Sequence, residues 1–315
     1  MMNQTFSGDI IILERLQVTP KTSIPVFILV LLIYIFIMVT NIGLVVVICR
    51  SRSLHQPMYL LFCNMSINNV FGATIIVPQV LRDLLLNSER YIYYTDCVFQ
   101  VVCVHLHACA SHTVLMVMAF DRYVAICNPL RYATIMTNGM VVKLSVGAWA
   151  TAFVLVMSLV GLSVRLSRCR SVISHPFCDN ASLFKLSCED ISVNNIYGLV
   201  YTVVLLGSSM CSVTLTYVRI TMVCLSSKKK AMNSKALQTC ATHLAVYIML
   251  LVLGFIIVIL HRFPELSDHR KAAAVLGHIA LPALNAVIYG LQIKEIRHRI
   301  KALFHNSKVA VMAAK

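Results

Sequence analysis

The chain predicts an all-α membrane protein, a seven-transmembrane helix bundle, and three observations carry that fold class. Of its 315 residues 59% are hydrophobic and only 12% charged, with a mean hydropathy of +0.81, outside what soluble domains of this length show. The apolar residues gather in seven long blocks that contain no Asp, Glu, Lys or Arg, rather than alternating with polar ones. Lysine and arginine are divided very unequally between the loops on the two sides of these blocks.

The blocks run over 22–49, 53–81, 97–120, 144–164, 191–218, 236–261 and 272–293. Each has about 20 residues or more, enough for a helix to cross roughly 30 Å of hydrocarbon. Without water to satisfy backbone groups such segments must be helical, and the alternation of a membrane barrel is absent. The expected organisation is an extracellular segment over 1–23, a seven-transmembrane domain over 24–293, and a cytoplasmic amphipathic helix and tail over 294–315. Sixteen bases face two acids on one side, against eleven and ten on the other, so the net charge of +15 is almost wholly cytoplasmic. That places the N-terminus outside. The basic residues line loop edges where anionic headgroups lie, which removes the nucleic-acid reading of the charge and makes the lipid bilayer the partner.

No cleavable leader is expected, because Asp9, Glu14 and Arg15 interrupt the first twenty residues. Asn3 in "NQT" and Asn180 in "NAS" are then candidate glycosylation acceptors, whereas Asn64 in "NMS" falls inside the second span. The one long connection, residues 165–193, contains Cys169, Cys178 and Cys188, and Cys97 begins span three. Four cysteines in an oxidising compartment allow three pairings, and spacing does not choose among them. The other eight read as small apolar packing residues. After span seven, "KEIRHRIKALF" places Ile296, Ile300, Leu303 and Phe304 on one face, as in a short amphipathic helix lying along the inner membrane surface.

Asp121 and Arg122 end span three, and an ionisable pair just inside a bilayer is costly. The bland account is an arginine that snorkels to the interface. The residues around the pair give another. "MAFDRYVAICNPLRY" resembles the hallmark of olfactory receptors, a branch of the rhodopsin-like G-protein-coupled receptors. "LHQPMY" at 54–59, "VPQVL" at 77–81, "TY" at 216–217, "KALQTCATH" at 235–243 and "PALNAVIY" at 282–289 resemble further motifs of that family, in the order that seven spans require. Phrases such as "KALQTCATH" and "DNASLFKLSC" are similar to aquatic-vertebrate members.

The resemblance implies a receptor that binds a small odorant in the bundle and activates a heterotrimeric stimulatory G protein, raising cyclic AMP, in the plasma membrane of olfactory neuron cilia. A chemosensory receptor of a non-olfactory tissue is the alternative. It implies that Asp121 holds Arg122 at rest, within the Asp121, Arg122 and Tyr123 motif, and that Tyr217 and Tyr289 stabilise the open state. It pairs Cys97 with Cys178 and Cys169 with Cys188. Motif alignment turns Val104, His105, Ala108, Cys109 and His112 toward the ligand cavity, with Tyr201, Thr202, Leu205, Gly254, Phe255, Val258 and His278. His105 and His112 share a face and His107 points elsewhere; neutral core histidines are the bland account. Arg262 either snorkels or, with His261, receives an anionic odorant through its planar guanidinium.

The chain also departs from the family. Asn69 stands where a sodium-holding Asp is usual, so no sodium dependence is expected, and Ala286, Phe120, Thr40 and Gln292 replace other family residues. The lone tryptophan, Trp149, lies in span four, and span six has no proline. No cofactor or metal is expected, since no acid or thiolate joins the histidines at ligand spacing. A transporter or channel needs intramembrane acids or paired broken helices, and an enzyme needs a nucleophile or acid beside a histidine; neither pattern is present.

Overall fold

The computed structural model describes residues 9–16, 18–86, 90–226, 230–260 and 263–292. Seven long helices form the bundle: α1 (Pro20–Arg50), α2 (Pro57–Leu85), α3 (Tyr94–Cys127), α5 (Asn138–Val164), α7 (Ser192–Ser226), α8 (Lys230–Leu260) and α9 (Ser267–Gln292). Two short helices, α4 (Tyr132–Ile135) and α6 (Asn180–Phe184), lie in connections. Six of the long helices are apolar and long enough to span a membrane. The seventh, α9, opens with Ser267–Asp268–His269–Arg270–Lys271, so its apolar stretch starts more than a turn later. It packs against α1, α2 and α8 and completes the ring.

Every long helix runs past at least one end of its uncharged block. Helix α3 runs on through Asp121 and Arg122 to Cys127, because backbone hydrogen bonding does not stop where the hydrocarbon does. Prolines at the first turns of α1 and α2 need no donor there and set the helical φ. Helix α3 is the central post, touching α2, α5, α7 and α8. Outward faces stay apolar and exposed, as at Leu32 and Val39 of α1 and Val203 and Leu215 of α7, which suits lipid as solvent.

Polar side chains join the helices where the sequence offers small amides. Asn69 of α2 donates to Asn41 of α1 (3.0 Å), and Asn285 of α9 donates to Asn69 (3.4 Å). Asn69, the residue that stands where a carboxylate is usual in the receptors the sequence resembles, is thus held between two other neutral amides. Asn64 accepts from the Trp149 indole (2.9 Å) and donates to Ser145 (2.6 Å), tying α2 to α5 and leaving no role as a glycan acceptor. His107 lies against α2, its Nδ1 donating to the Asn68 carbonyl (3.0 Å). Its ring occupies the space that a Cβ on Gly72 would need, so only glycine fits at that crossing.

The end of the bundle that carries the N-terminal segment, termed the outer end for its expected orientation, holds a three-stranded sheet that no periodicity in the sequence announces. Strand β1 (Ile10–Leu13) lies between antiparallel β2 (Arg90–Tyr93) and parallel β3 (Val172–Ile173). Alternation buries Ile11 and Leu13 and exposes Ile10. Glu14 continues from β1 to pair with Lys271 of α9 (3.0 Å), a lysine only 1% exposed. Beneath β2, Arg90 donates to Asp83 (2.9 Å), to the Pro176 carbonyl (2.7 Å) and to Gln79. Burial pushes the Arg90 guanidinium below its ordinary range and Asp83 opposes that shift.

Candidate functional site

Disulfides Cys97–Cys178 and Cys169–Cys188 are both formed. The first ties the long connection to the top of α3 and the second closes a loop within it. Cys178 also donates its backbone N–H to Gln100 of α3 (2.9 Å), and His175 donates through Nδ1 to the Phe177 carbonyl (3.0 Å). Asp179 caps α6 by accepting from the Ser182 N–H (2.7 Å). The connection is thereby folded down as a lid, with His175, Phe177, Asn180 and Phe184 facing inward.

Under this lid, between α3, α7, α8 and α9, lies a cavity of about 330 Å³, in the size range of small-molecule sites. Of the residues expected to face it, Val104, His105, Ala108, His112, Tyr201, Thr202, Leu205, Gly254, Val258 and His278 do line it. Cys109 does not: it is wholly buried one position round α3, in the cluster with Ala152 and Val156 of α5. Phe255 is 42% exposed on the outer face of α8. Both are errors of one helical step, about 100° of rotation. Arg262 and His261 lie outside the described residues, as do Asn3 and the expected helix 294–304.

Asn180 is corrected as a glycosylation acceptor. It is buried, its amide oxygen accepting from Ser163 (2.8 Å) and its N–H donating to His105 Nε2 (3.3 Å), so no glycan has access to it. Lid residues were missed by motif alignment because a loop has no periodicity that says which side chains turn inward. Asn194 and Gly198 of α7 were missed too, although they lie seven and three residues before Tyr201 and share its face, as was Leu199, three residues before Thr202.

Below the cavity a polar chain crosses three helices. Ser209 of α7 gives its hydrogen to the Leu206 carbonyl (3.1 Å) and accepts from Tyr247 of α8 (2.9 Å), and His112 Nδ1 lies 3.2 Å from the same oxygen. Two turns further down, the Tyr217 hydroxyl meets Nδ1 of His243, joining α7 to α8.

At the inner end Asp121 is 1% exposed and is gripped from two directions. Arg122 donates to its Oδ2 from Nε (2.9 Å) and Nη2, and the Tyr132 hydroxyl donates to its Oδ1 (2.8 Å). Burial and the neighbouring carboxylate push the Tyr132 hydroxyl above its usual range, so it remains a donor. Tyr132 belongs to the quoted hallmark, but nothing in the hallmark's spacing assigns it this contact. Tyr123 packs at the edge of the inner core. Tyr289 falls within α9, and its side chain is outside the described set.

A family model described as "Olfactory receptor" matches residues 30–307. The human "Olfactory receptor 51E1" is 34% identical over 277 residues, covering 87% of this chain and 86% of that protein. The human "Olfactory receptor 51I2" is 35% identical over 263 residues, 82% and 83% of the two chains, and the human "Olfactory receptor 52N5" is 34% identical over 282 residues, 88% and 87%. With seven packed helices, a lidded cavity at one end and a buried Asp–Arg pair at the other, the chain belongs to the olfactory receptor family: a multi-pass membrane receptor of the G-protein-coupled type, and not an enzyme.

Proposed function

We propose that this chain binds a small odorant in the cavity under the lid and, when occupied, activates a heterotrimeric G protein of the stimulatory type, raising cyclic AMP. The N-terminus is extracellular in this reading, and olfactory neuron cilia are the site of action. The observation that carries the proposal is the continuity between the two ends: His112 lines the cavity and touches Ser209, which holds Tyr247 of α8, the helix whose His243 holds Tyr217 near the Asp121–Arg122 pair.

The physical content is a two-state element biased by ligand. In the conformation described, Arg122 is engaged by Asp121, Tyr217 is engaged by His243, and Tyr132 steadies the carboxylate. Moving α8 outward breaks the Tyr217–His243 contact and opens the space beside Arg122. A ligand shifts that equilibrium only by its difference in affinity for the two states. A change at the cavity floor reaches α8 through Ser209, whose single hydroxyl serves both sides. Replacing Arg122 with Ala is expected to abolish agonist-driven cyclic AMP per receptor labelled at the surface of transfected cells, with some loss of surface labelling as well, since it leaves the buried Asp121 carboxylate with the Tyr132 hydroxyl but without its cation. Full signalling by Arg122→Ala removes the assignment.

A further inference from the structure

Two of the residues that line the cavity have no side chain. Gly198 of α7 and Gly254 of α8 both stand inside long helices, where alanine would favour the helix more. Neither adopts a positive φ, so the backbone does not require glycine at either place. Glycine within a bundle commonly lets two helices approach closely, and Gly72 is such a case, with the His107 ring 2.4 Å from the position a Cβ would take. The cavity glycines are different. Among the described residues, a Cβ at Gly198 would meet no heavy atom within 4 Å, and one at Gly254 would meet only Leu206 Cδ2 at 3.9 Å, an ordinary van der Waals contact. Helical register turns both toward the cavity: Gly198 lies between Asn194 and Thr202 on one stripe of α7, Gly254 precedes Val258 on one stripe of α8, and all of these line it, as does Leu206. Leu206 follows Gly198 by about two turns, so the two missing methyl groups widen the α7–α8 wall at an outer and an inner level.

We infer that Gly198 and Gly254 determine the size limit of the ligand: the bare backbone of this wall admits the hydrocarbon part of a molecule that alanine at either position would turn away. The inference rests on the cavity being the odorant site. Leu206 and Val258, which stand beside Gly254, are apolar, so the room is suited to a carbon chain rather than to a polar head group. Each methylene that finds room in an apolar site contributes roughly fourfold to affinity. A methylene forced against a wall that cannot yield costs tenfold or more. The limit is therefore sharp, it falls by about one carbon for each methyl group added to the wall, and it holds whichever polar group the ligand carries.

The test uses the full-length receptor in lipid nanodiscs and three unbranched probe series: butanol to decanol, butanal to decanal and butanoate to decanoate. Ligand-induced thermal stabilisation reads binding without any G protein. Along a series that binds, affinity is expected to rise to a longest accepted member and then to fall. Gly198→Ala and Gly254→Ala are each expected to weaken that member by at least about tenfold, shifting the limit down by one carbon, while clearly shorter members change by less than about twofold. Gly254→Val is expected to lower the limit further. Because alanine favours the helix and meets open space, the melting temperature of the empty receptor is expected to hold or rise in both alanine variants. A fall shows that the methyl group strikes protein and overturns the inference. A limit unmoved in either alanine variant overturns it, as does an equal loss along the whole series, which marks a general change in the helix rather than lost room. No shift with any probe overturns it too. Ala108→Trp fills the cavity: shifts that persist in it refute the cavity as the odorant site, whereas shifts lost in it beside an unmoved limit in the alanine variants refute the role of the glycines alone.

Discussion

The two ends of the bundle are held by different means. At the outer end two disulfides, a three-stranded sheet and the buried Asp83–Arg90 pair fix the lid to α2, α3 and α9. At the inner end, among the described residues, α3, α7 and α8 are joined by the Tyr217–His243 contact and apolar packing, while the Asp121 carboxylate is engaged by its chain neighbour and by Tyr132. Covalent and fully buried ionic bonds do not exchange at low cost, whereas single hydrogen bonds of about 1 kcal/mol do. A cavity must keep its shape to discriminate ligands, and a signalling face must change shape to report them.

The sharpest way to break the outer brace is Arg90→Ala, which leaves Asp83 buried without its cation. A loss of about 3–5 kcal/mol is expected, seen as collapse of surface expression and of thermal stability in nanodiscs. Adding Asp83→Asn is expected to recover part of it, and failure of the double variant to improve on the single one shows the pair to be dispensable.

That brace was only partly legible in the sequence. Seven spans, the long connection and the Asp121–Arg122 pair could be read directly, because length without charge and the energetic cost of an intramembrane ion are local properties. Val104, Ala108 and Leu205 line the cavity as expected because helical periodicity carries a motif's register along a span. Cys109 and Phe255 failed where a one-step rotation separates the inner face from a neighbour. The sheet escaped because "IIIL" at 10–13 is a short apolar run that periodicity alone leaves ambiguous, and its partners lie in two distant loops. Tyr132 and His243 escaped for a related reason: a hydrogen bond across elements has no spacing to betray it.

A weaker perturbation separates the two lid staples. Cys169→Ser with Cys188→Ser opens a loop whose ends are 19 residues apart, for which about 3 kcal/mol of stabilisation is expected to be lost. Ligand-induced stabilisation should fall with it while basal cyclic AMP is unchanged. Basal signalling that rises instead shows the outer brace to restrain the inner latch. The smallest effect is expected at the inner end. Tyr132→Phe removes one hydrogen bond to Asp121, about 1 kcal/mol, which corresponds to a roughly fivefold gain in ligand-independent signalling with a fall of only about 2–4 °C in melting temperature. A fall in basal signalling reverses the assigned role of that hydroxyl.

The position of β1 also sets an order of assembly. Its strand partners follow about 80 and about 160 residues later in the chain, at β2 and β3. At a synthesis rate of about 5–20 residues per second, Ile10–Leu13 waits roughly 10–30 seconds for β3 to emerge. Through that interval four spans are threaded while the first strand of the cap has no complete sheet to join. The outer cap therefore closes only after the fourth span has been made, and a receptor retained during biogenesis is expected to expose these isoleucines first.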